Sequence, residues 1–377
     1  MTEVPGVSRR ALLAGSVAAA AAGLAGCTAG GSTAGGSTGA GVTATPQATG
    51  SPSLSAAAPP TPSAVKPSAA APTTTKPPAV DPASVKANEL GLVPVMMYHR
   101  ITPTVHGEYD TTPADFRAQL HQMFAAGYRP VRTIDLVRGD LRVAAGYTPA
   151  VLTFDDGYPD QFAMSSTGEV DPSSGVGILL DVCKQFEDCP PAGSFNINKN
   201  PFGMTDPAAQ AAGLNKLHEL GFEIANHTFN HDNLAHLDAT AVQQDFVQLQ
   251  QLVEKAVPGA RVLTMALPFG VSPHARALSH AGTWNGESYT NEGVLLVGAN
   301  PSHSPFSKQF VPTAIPRIRG TSWDKGNVPL TAKYWLANLE ANKSQRYISA
   351  GNPGHVTIPK AWKQYLAPAY LAKALTY

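Results

Sequence analysis

The chain has 377 residues, 43% of them hydrophobic, which is enough for a large folded domain. Its 27 Lys and Arg residues balance 27 Asp and Glu residues, so no net positive field favours a nucleic-acid partner. The sequence has no internal repeat and, beyond the N-terminus, no apolar run of membrane length. Nothing in it indicates an obligate protein partner.

The first 26 residues have the features of an export signal. Ser8–Leu13 contains paired arginines and looks like a twin-arginine signal, and the apolar run Ala11–Ala25 is too short and too rich in alanine to span a bilayer. The run ends in Leu24–Cys27, which resembles a bacterial lipobox. We therefore expect an exported protein whose Cys27 carries lipid at the outer face of the bacterial cell membrane. A secreted protein cut nearby is the alternative.

Residues 27–88 are predicted to form a disordered linker. They are mostly Ala, Gly, Ser, Thr and Pro with almost no charge, and such a composition cannot bury a core. The first half is flexible and the second is stiffer because it is rich in proline. These residues would span roughly 45 Å as a coil and roughly 190 Å when fully extended. The remaining residues, 89–377, have the length of one large domain.

The domain alternates between apolar strands and amphipathic helices. Helices are predicted to begin at Pro113, at Pro207 and just after Asp238, each with apolar side chains on one face. This alternation predicts an α/β fold with a mostly parallel sheet, in which functional residues gather beyond the carboxyl ends of the strands. Residues 158–192 look like an insertion that shapes a substrate groove. The strand candidates are 93–98, 149–154, 193–197, 221–225, 261–267 and 293–298.

Two cysteines, Cys183 and Cys189, lie within this domain. Because they are close in sequence in a protein predicted to be exported, a local disulfide is expected. Two unpaired thiols at the end of an amphipathic helix are the alternative. Metal ligation by these cysteines is disfavoured because the domain offers no further cysteine.

Two short motifs carry the chemistry. An apolar strand ends in Thr153–Gly157, Thr-Phe-Asp-Asp-Gly, and a second apolar segment ends in His227–His231, His-Thr-Phe-Asn-His. The two histidines are four residues apart, one helical turn, so both rings are expected to face one point. One carboxylate and two imidazoles form a three-ligand metal set that leaves positions open for water and substrate. Each motif alone is compatible with an ordinary surface turn, but the combination is much more specific.

On these motifs the chain resembles the polysaccharide deacetylases, carbohydrate esterases that share the NodB homology domain. Their first motif matches Thr153–Gly157 without change, and their second, His-Ser/Thr-x-x-His, matches His227–His231. Pro94–Ile101 looks like the opening strand of the branch that acts on poly-N-acetylglucosamine and related exported glycans. The resemblance runs over about residues 92–319 and implies a distorted (β/α) barrel.

The resemblance also implies roles for individual residues. Asp156, His227 and His231 would bind a divalent metal, with Zn²⁺ expected. Asp155 would take the proton of the attacking water as general base. The backbone N–H of Phe269 would stabilise the oxyanion that forms on the acetyl group.

The third motif departs from the family pattern. The family often has Arg-x-Pro-Phe/Tyr, whereas Ala266–Gly270 keeps the proline and the aromatic residue but lacks the arginine that orients the catalytic Asp. Arg317 or Arg319 is a candidate substitute, and an ordinary surface arginine is the plainer interpretation. Pro268, Arg317 and Arg319 are also candidate substrate-binding residues.

The general acid is the least defined role, because the family's late Leu-x-His motif is not evident. We expect His99 to take it, since an apolar strand ends at His99 and the resembling branch has a histidine there. His303 and His355, in loops rich in proline and glycine, are the alternative acids. A packed or surface-bonded His99 is the alternative without a catalytic role.

The sequence therefore predicts a metal-dependent N-deacetylase that acts on an extracellular N-acetylated polysaccharide, such as peptidoglycan or a poly-N-acetylglucosamine-like glycan. Three alternatives stay open: an O-acyl esterase on cell-wall glycan, a catalytically impaired glycan-binding lipoprotein, and a non-haem iron oxygenase. An intact Asp155 disfavours the glycan-binding lipoprotein, because binding needs no base. The oxygenases usually place the carboxylate beside the first histidine, not about seventy residues upstream.

Overall fold

The structure, a computed structural model, describes residues 80–323 and 328–377. The predicted signal peptide, Cys27 and most of the predicted linker lie outside these residues. Within them, no helix is both long and apolar enough to cross a membrane. The chain is already packed at the start of the described part, since Ala87 is buried and Asn88 pairs with Ile348.

Helices and short strands alternate along the described chain, as the periodicity predicted. The strands are β1 Val95–Tyr98, β2 Arg100–Ile101, β3 Asp110–Thr111, β4 Tyr128–Val131, β5 Thr148–Asp155, β6 Ser194–Ile197, β7 Glu223–Asn226, β8 Thr264–Ala266, β9 Ala281–Trp284, β10 Glu287–Thr290, β11 Gly293–Leu295, β12 Ile318–Arg319, β13 Val356–Ile358 and β14 Ala374–Thr376. The α-helices are α1 Pro113–Ala125, α2 Thr133–Arg138, α3 Gly175–Cys183, α4 Pro207–Glu219, α5 Ala239–Ala256 and α6 Ala332–Ala341.

Eight parallel strands form one curled sheet. Its order is β11-β8-β7-β6-β5-β1-β12, and β4 pairs with the first half of β5. The central strand β5 is buried along its whole length. Parallel strands covered on both faces read as continuous apolar runs, which is why Ala150–Phe154 shows no polar alternation.

The segment that leads into β12 brings the two edges of the sheet together. Ile315 forms a parallel bridge with Leu295 of β11, and three residues later Ile318 pairs with Met96 of β1. The sheet is therefore the distorted (β/α) barrel that the sequence predicted. Arg317 lies between these two contacts, so its side chain starts from the seam of the barrel.

The three helices predicted from the sequence are present, with the expected first residues. Side chains of Thr112, Asp206 and Asp238 cap the first backbone N–H groups of α1, α4 and α5. Pro113 and Pro207 occupy the first turn, where proline has the backbone angle that a helix needs.

The segment 158–192 is not wholly the insertion that the sequence predicted. Its second half contains α3, which is apolar and mostly buried. The glycines in this segment suggested a loop, yet Gly177 lies inside α3 because a Cβ at this position would collide with the carbonyl of Asp171. Residues 158–174 form a loop, which is held by a bridge between Met164 and Val170, and residues 184–192 form a second, shorter loop after α3.

Alternation along adjacent strands sets which residues face the site. Tyr98, Phe154 and Phe195 are in register on β1, β5 and β6, and their rings stack in one row. Each next residue along the strand points to the opposite side of the sheet. The row of Asp155 and Asn196, which are also in register, therefore faces away from the aromatic row.

Cys183 and Cys189 meet at the end of α3, but the expected disulfide is not formed in the structure. Their Sγ atoms are 3.4 Å apart, and both thiols are free and buried. A disulfide requires about 2.05 Å between the sulfurs. The two partners are nevertheless adjacent, so the bond stays a prediction for protein taken from an oxidising compartment.

We expect both cysteines to be oxidised in the exported protein and to stabilise the fold by about 2–3 kcal/mol at most, because the closed loop is short. Alkylation without reductant followed by mass spectrometry measures the redox state. Denaturant unfolding with and without reductant measures the stabilisation, and the Cys183→Ser variant is the control. Two alkylated thiols in the unreduced protein would contradict this prediction.

Candidate active site

The predicted site residues emerge at one edge of the sheet. His99 follows β1, Asp155 ends β5 and Asp156 follows it, His227 follows β7, and Phe269 lies three residues beyond β8. Carboxyl ends of parallel strands meet at the same edge, so residues far apart in sequence come together there. All five line one pocket of about 250 Å³.

Asp156, His227 and His231 form a three-residue cluster that is able to hold a metal ion. The Oδ1 atom of Asp156 lies 3.2 Å from Nε2 of His227 and 3.1 Å from Nε2 of His231. One ligand atom of each residue lies within 4.8 Å of the other two. Bond lengths of roughly 2.0–2.1 Å around a tetrahedral ion separate neighbouring ligand atoms by about 3.3 Å, so the spacing fits such an ion.

The hydrogen bonding of His227 also fits a metal ligand. Its Nδ1 atom lies 2.8 Å from the carbonyl oxygen of Ala266, the last residue of β8. If Nδ1 carries the proton, it donates to that carbonyl and leaves the lone pair of Nε2 directed at Asp156. A backbone contact of this kind orients a metal-binding imidazole.

The two histidines do not lie on a helix, which corrects the expectation drawn from their spacing. They lie in an irregular turn, in which the N–H of His231 donates to the hydroxyl of Thr228 and the N–H of Thr228 donates to the side chain of Asn226. Thr228 and His231 both have left-handed backbone, with φ of 64° and 59°. The irregular turn thus directs both imidazole rings at Asp156, as one helical turn was expected to do.

Backbone strain concentrates at this pocket. In the described part of the chain, eight residues other than glycine have positive φ, and four of them are Asp156, Thr228, His231 and Phe269. Each such residue costs about 1–3 kcal/mol and persists only where the surrounding structure holds it. The strain is consistent with side chains and N–H groups held in place before substrate binds.

Asp155 is held by an arginine that lies 162 residues later in the chain. Arg317 is fully buried and donates to Asp155 Oδ1 at 2.8 Å, and its second Nη atom lies 2.7 Å from Oδ2. Arg317 also donates to Thr153 and to the carbonyl of Leu296. The structure therefore corrects two interpretations of Arg317, since it is neither a surface residue nor exposed to substrate. It is the partner of Asp155 that the third motif lacks.

The charge state of Asp155 follows from these contacts. Burial alone would raise its pKa, but Arg317, His227 and His99 lower the pKa to about 2. Burial likewise raises the pKa of Asp156, and the neighbouring rings of His227 and His231 outweigh it, so the net shift is downward. Both carboxyl groups are therefore ionised at neutral pH and able to accept a proton or a cation.

His99 lies beside Asp155. Its Nε2 atom is 3.8 Å from Oδ2 of Asp155, and its ring contacts the ring of Tyr109 with centroids 4.6 Å apart. Burial lowers the pKa of His99, although Asp155 and Asp156 oppose this shift. The imidazole is thus placed in the pocket, not packed in the core or at an unrelated surface.

The other predicted residues do not reach the pocket. Pro268 is buried, and Arg319 pairs with Glu108 and lies over the ring of Tyr109, 4.7 Å from its centroid. Neither lines the site, which is contrary to their prediction as substrate-binding residues. His355 lines a small cavity beside Glu89 at the other end of the domain, and this excludes it as the alternative acid.

His303 is excluded for the same reason of position. It follows Ser302, which pairs with Val93 before β1 begins, whereas the pocket lies beyond the end of β1.

Sequence reasoning missed Asn196, whose Nδ2 donates to Asp155 Oδ1 at 2.8 Å. A polar residue inside the apolar strand β6 was the available signal.

Three further residues of the pocket wall had no sequence signal: Arg100, Tyr109 and Tyr158. Burial and the neighbouring Asp156 raise the pKa of Tyr158, so it remains a hydroxyl at neutral pH. The Arg100 guanidinium lies over the ring of Tyr158, 5.9 Å from its centroid. Together with the half-exposed ring of Phe269, these residues give the pocket an aromatic rim.

Comparison with known proteins gives a family match and several structural likenesses. A family model described as polysaccharide deacetylase matches residues 144–282, and no curated protein matches the chain. The structure is similar to the deacetylase PplD of Streptococcus pyogenes in complex with acetate (16% identity, 65% of this chain and 97% of that chain, TM-score 0.45).

Two further solved structures are similar. One is BC0361, a polysaccharide deacetylase from Bacillus cereus (17% identity, 66% of this chain and 69% of that chain, TM-score 0.45). The other is IcaB from Ammonifex degensii (17% identity, 62% and 93%, TM-score 0.41).

The matched span contains Asp155, Asp156 and both histidines of the triad, whereas His99 and Arg317 lie outside it. Both motifs of the family, Thr153–Gly157 and His227–His231, are therefore inside the matched residues and converge on one pocket. On this match residues 144–282 contain a polysaccharide deacetylase domain, and proteins of that family are hydrolases that act on carbon–nitrogen bonds other than peptide bonds.

Proposed function

We propose that the chain is a metal-dependent N-deacetylase for an extracellular N-acetylated polysaccharide, either peptidoglycan or a poly-N-acetylglucosamine-like glycan. The observation that carries this proposal is the cluster of Asp156, His227 and His231 directly beside the ionised Asp155. Asp156, beside the two histidines, is then able to bind a metal ion. Asp155, paired with Arg317, is able to accept a proton.

The cluster fits Zn²⁺ in its donor set. Two imidazole nitrogens and one carboxylate oxygen suit this ion, and three protein ligands leave a position open, as catalytic sites require. When bound, the ion would supply Lewis-acid activation of the water and of the acetyl carbonyl. The Nδ1 contact of His227 with Ala266 supports the ligand geometry.

Asp155 is proposed to take the proton of the attacking water. Its carboxylate is fixed by Arg317 and Asn196, so its orientation does not depend on substrate. The pocket wall includes the aromatic rings of Tyr109, Tyr158 and Phe269, and such rings suit the faces of a pyranose. The backbone N–H of Phe269 is proposed to stabilise the oxyanion on the acetyl carbon.

His99 is proposed to protonate the leaving amine. Burial lowers the pKa of this imidazole, so the ring is mainly neutral at neutral pH. The proton that Asp155 takes from the water is proposed to pass to the neighbouring ring, which then delivers it to the leaving amine. The ring lies across from the metal cluster and within 3.8 Å of the carboxylate that would accept the water proton.

We expect His99→Ala to lower kcat by about 10²–10⁴ and to leave the metal content unchanged, because the ring is not one of the clustered ligands. Steady-state kinetics and metal analysis on the same preparation measure both quantities. His303→Ala is the matched control and should behave like wild type. A near-normal rate in His99→Ala would move the acid role to water, and lost metal would mean that His99 is a ligand.

The decisive test of the proposed function is product analysis. The purified protein is incubated with peptidoglycan fragments, with a poly-N-acetylglucosamine oligomer and with a chitin-like oligomer, and mass spectrometry records the loss of acetyl groups. We expect acetate release and a free amine on at least one substrate, with activity lost on chelation. Release of acetyl only from O-acetylated glycan would instead establish an esterase, and no release with retained binding would establish a glycan-binding protein.

We also propose that the protein is exported and anchored by lipid on Cys27, which lies outside the described residues. The support is the apolar run before Leu24–Cys27 together with the linker that follows it. Cys27→Ser should release the protein from the membrane fraction into the medium or the wall. Fractionation with immunoblotting measures this, and an unchanged membrane-bound amount would contradict it.

A further inference from the structure

The end of the domain opposite the pocket carries a second distinct surface, which we call the basal face. It consists of the exposed parts of residues 80–88, 305–312 and 353–377. Hydrogen bonds next to these segments join them. The N–H of Glu89 donates to the carbonyl of Thr357, and the hydroxyl of Ser304 donates to the carbonyl of Glu89. In space, these segments lie near the end of the sheet where β1 begins, since Val93 pairs with Ser302. The pocket lies at the end of the sheet where β1 stops.

Acidic residues are almost absent from the segments that build this face, which contain Asp81 alone. The sequence has no Asp or Glu in residues 293–323 or in residues 341–377. Of the acids nearby, Glu89 is buried on backbone N–H groups, and Asp140 is paired with Arg142. Asp81 is the exposed acid that remains near the basal face. The exposed lysines are Lys86, Lys308, Lys360, Lys363 and Lys373.

Hydrogen bonds join the segments that carry these lysines. Lys308 Nζ donates to the carbonyl of Gln364, and the N–H of Lys360 donates to the carbonyl of Tyr377. The strands β13 and β14 pair, and Lys373 directly precedes β14. The Tyr377 hydroxyl donates to the carbonyl of Ala87, which joins the last residues to those near Lys86.

Apolar side chains are exposed on the same face. In the described part of the chain, six large hydrophobic side chains are exposed, and one of them is Phe269 at the pocket. The other five all belong to the basal segments or adjoin them: Val80, Val311, Leu371, Leu375 and Tyr377. Monomeric proteins rarely leave apolar side chains concentrated at one place without a partner.

We propose that the basal face binds the surface of an anionic lipid bilayer. Lysines attract anionic headgroups, and leucine and tyrosine side chains between them enter the interfacial layer, which is the composition of surface-bound membrane proteins. Charge complementarity alone would also suit a soluble anionic polymer. Such a polymer offers no apolar layer in which the exposed side chains of Leu371 and Leu375 are buried. The contact is made by the folded domain and is separate from any lipid on Cys27.

The proposal has a consequence for the orientation of the enzyme. The basal face and the pocket lie at opposite ends of the strands, so a domain seated on a membrane would direct the pocket outward. A glycan above the membrane would then reach Asp156 and His227 without the domain having to turn over. A tether alone would not set this orientation.

The test uses the full chain carrying Cys27→Ser, so that lipid on this residue contributes nothing. Binding is measured by co-sedimentation with phosphatidylcholine vesicles with and without phosphatidylglycerol. One variant changes Lys360, Lys363 and Lys373 to Glu. The matched control changes Lys184, which directly follows α3, and Lys216 and Lys255, on α4 and α5, to Glu with the same change of net charge.

At low salt we expect the basal variant to bind anionic vesicles about 100-fold more weakly, because each lysine near the surface contributes about 1 kcal/mol. The control variant should stay within about threefold of the parent. Leu371→Ser with Leu375→Ser should remove the part of the binding that resists added salt, since salt screens only the charge contribution. Turnover of a soluble N-acetylated oligomer should be unchanged in every variant, which reports intact folding.

Three results would overturn the proposal. Equal losses in the two lysine variants would show that only net charge matters. Equal binding to neutral and anionic vesicles would show that the face is not recognised by headgroup charge. Full competition by inorganic polyphosphate, with no effect of the leucine substitutions, would assign the face to an anionic polymer.

Discussion

Replacing Asp155 by Asn should abolish deacetylation while the bound metal is retained. The carboxylate is held ionised, with its pKa lowered to about 2, and it lies beside the metal cluster without belonging to it. An amide at this position cannot accept the water proton, so the loss should lie at the upper end of general-base effects, about 10⁴-fold in kcat. Acetate release and metal analysis on the same preparation measure the two quantities.

Matched variants separate loss of the base from loss of its surroundings. Asn196→Ala removes a hydrogen bond to the same Asp155 oxygen but leaves the base charged, so its effect should be far smaller. His231→Ala should cost both metal and activity, because it removes one of the three clustered ligands, and Asp156→Ala and His227→Ala should do the same. Full activity in Asp155→Asn, or in metal-free protein, would rule out the proposed hydrolytic mechanism.

Replacing Arg317 by Met should strongly destabilise the domain. Arg317 is fully buried against the buried carboxylate of Asp155, and Met has a similar length but no donor. Removing one partner of a buried ion pair leaves an uncompensated charge and costs about 3–5 kcal/mol. Denaturant unfolding at neutral pH measures this loss, and activity should fall with it because the base is no longer oriented.

The effect of Arg317→Met should depend on pH. In the native protein the pKa of Asp155 is lowered, so its contribution to stability is present above the ordinary carboxyl pKa and is lost as pH falls through about 2. Without Arg317, burial raises this pKa, and Asp155 takes up a proton at higher pH. The deficit of the variant should therefore be largest at neutral pH and should shrink as the pH falls toward and below the usual carboxyl range.

Two controls make this prediction specific. Arg319→Met, two residues away, removes a pair with the exposed Glu108 and should change the free energy of unfolding by less than about 1 kcal/mol. The double variant Arg317→Met with Asp155→Leu removes both buried charges and should regain much of the lost stability. An Arg317→Met protein as stable as Arg319→Met would contradict the prediction, as would a double variant no better than the single one.

The sequence by itself determined the elements and residues whose signal is local. The continuous apolar run Ala150–Phe154 marked the central buried strand, and proline with a capping residue marked the starts of α1 and α4. The residues of the proposed metal cluster were readable because they lie in short motifs that directly follow strands. Parallel strands place such motifs at one edge, so Asp156 and His227 meet without any detail of packing.

Only the tertiary structure decided how the base is supported and which histidine reaches it. Arg317 contacts Asp155 across 162 residues because the segment after Ile315 closes the seam of the barrel, and no local pattern records that closure. The same topology places His99 in the pocket and His355 at the opposite end. A charge buried in the barrel requires an opposite charge within hydrogen-bonding distance. The three-dimensional path of the chain determines which residue lies that close, and the residues next to Asp155 in sequence do not.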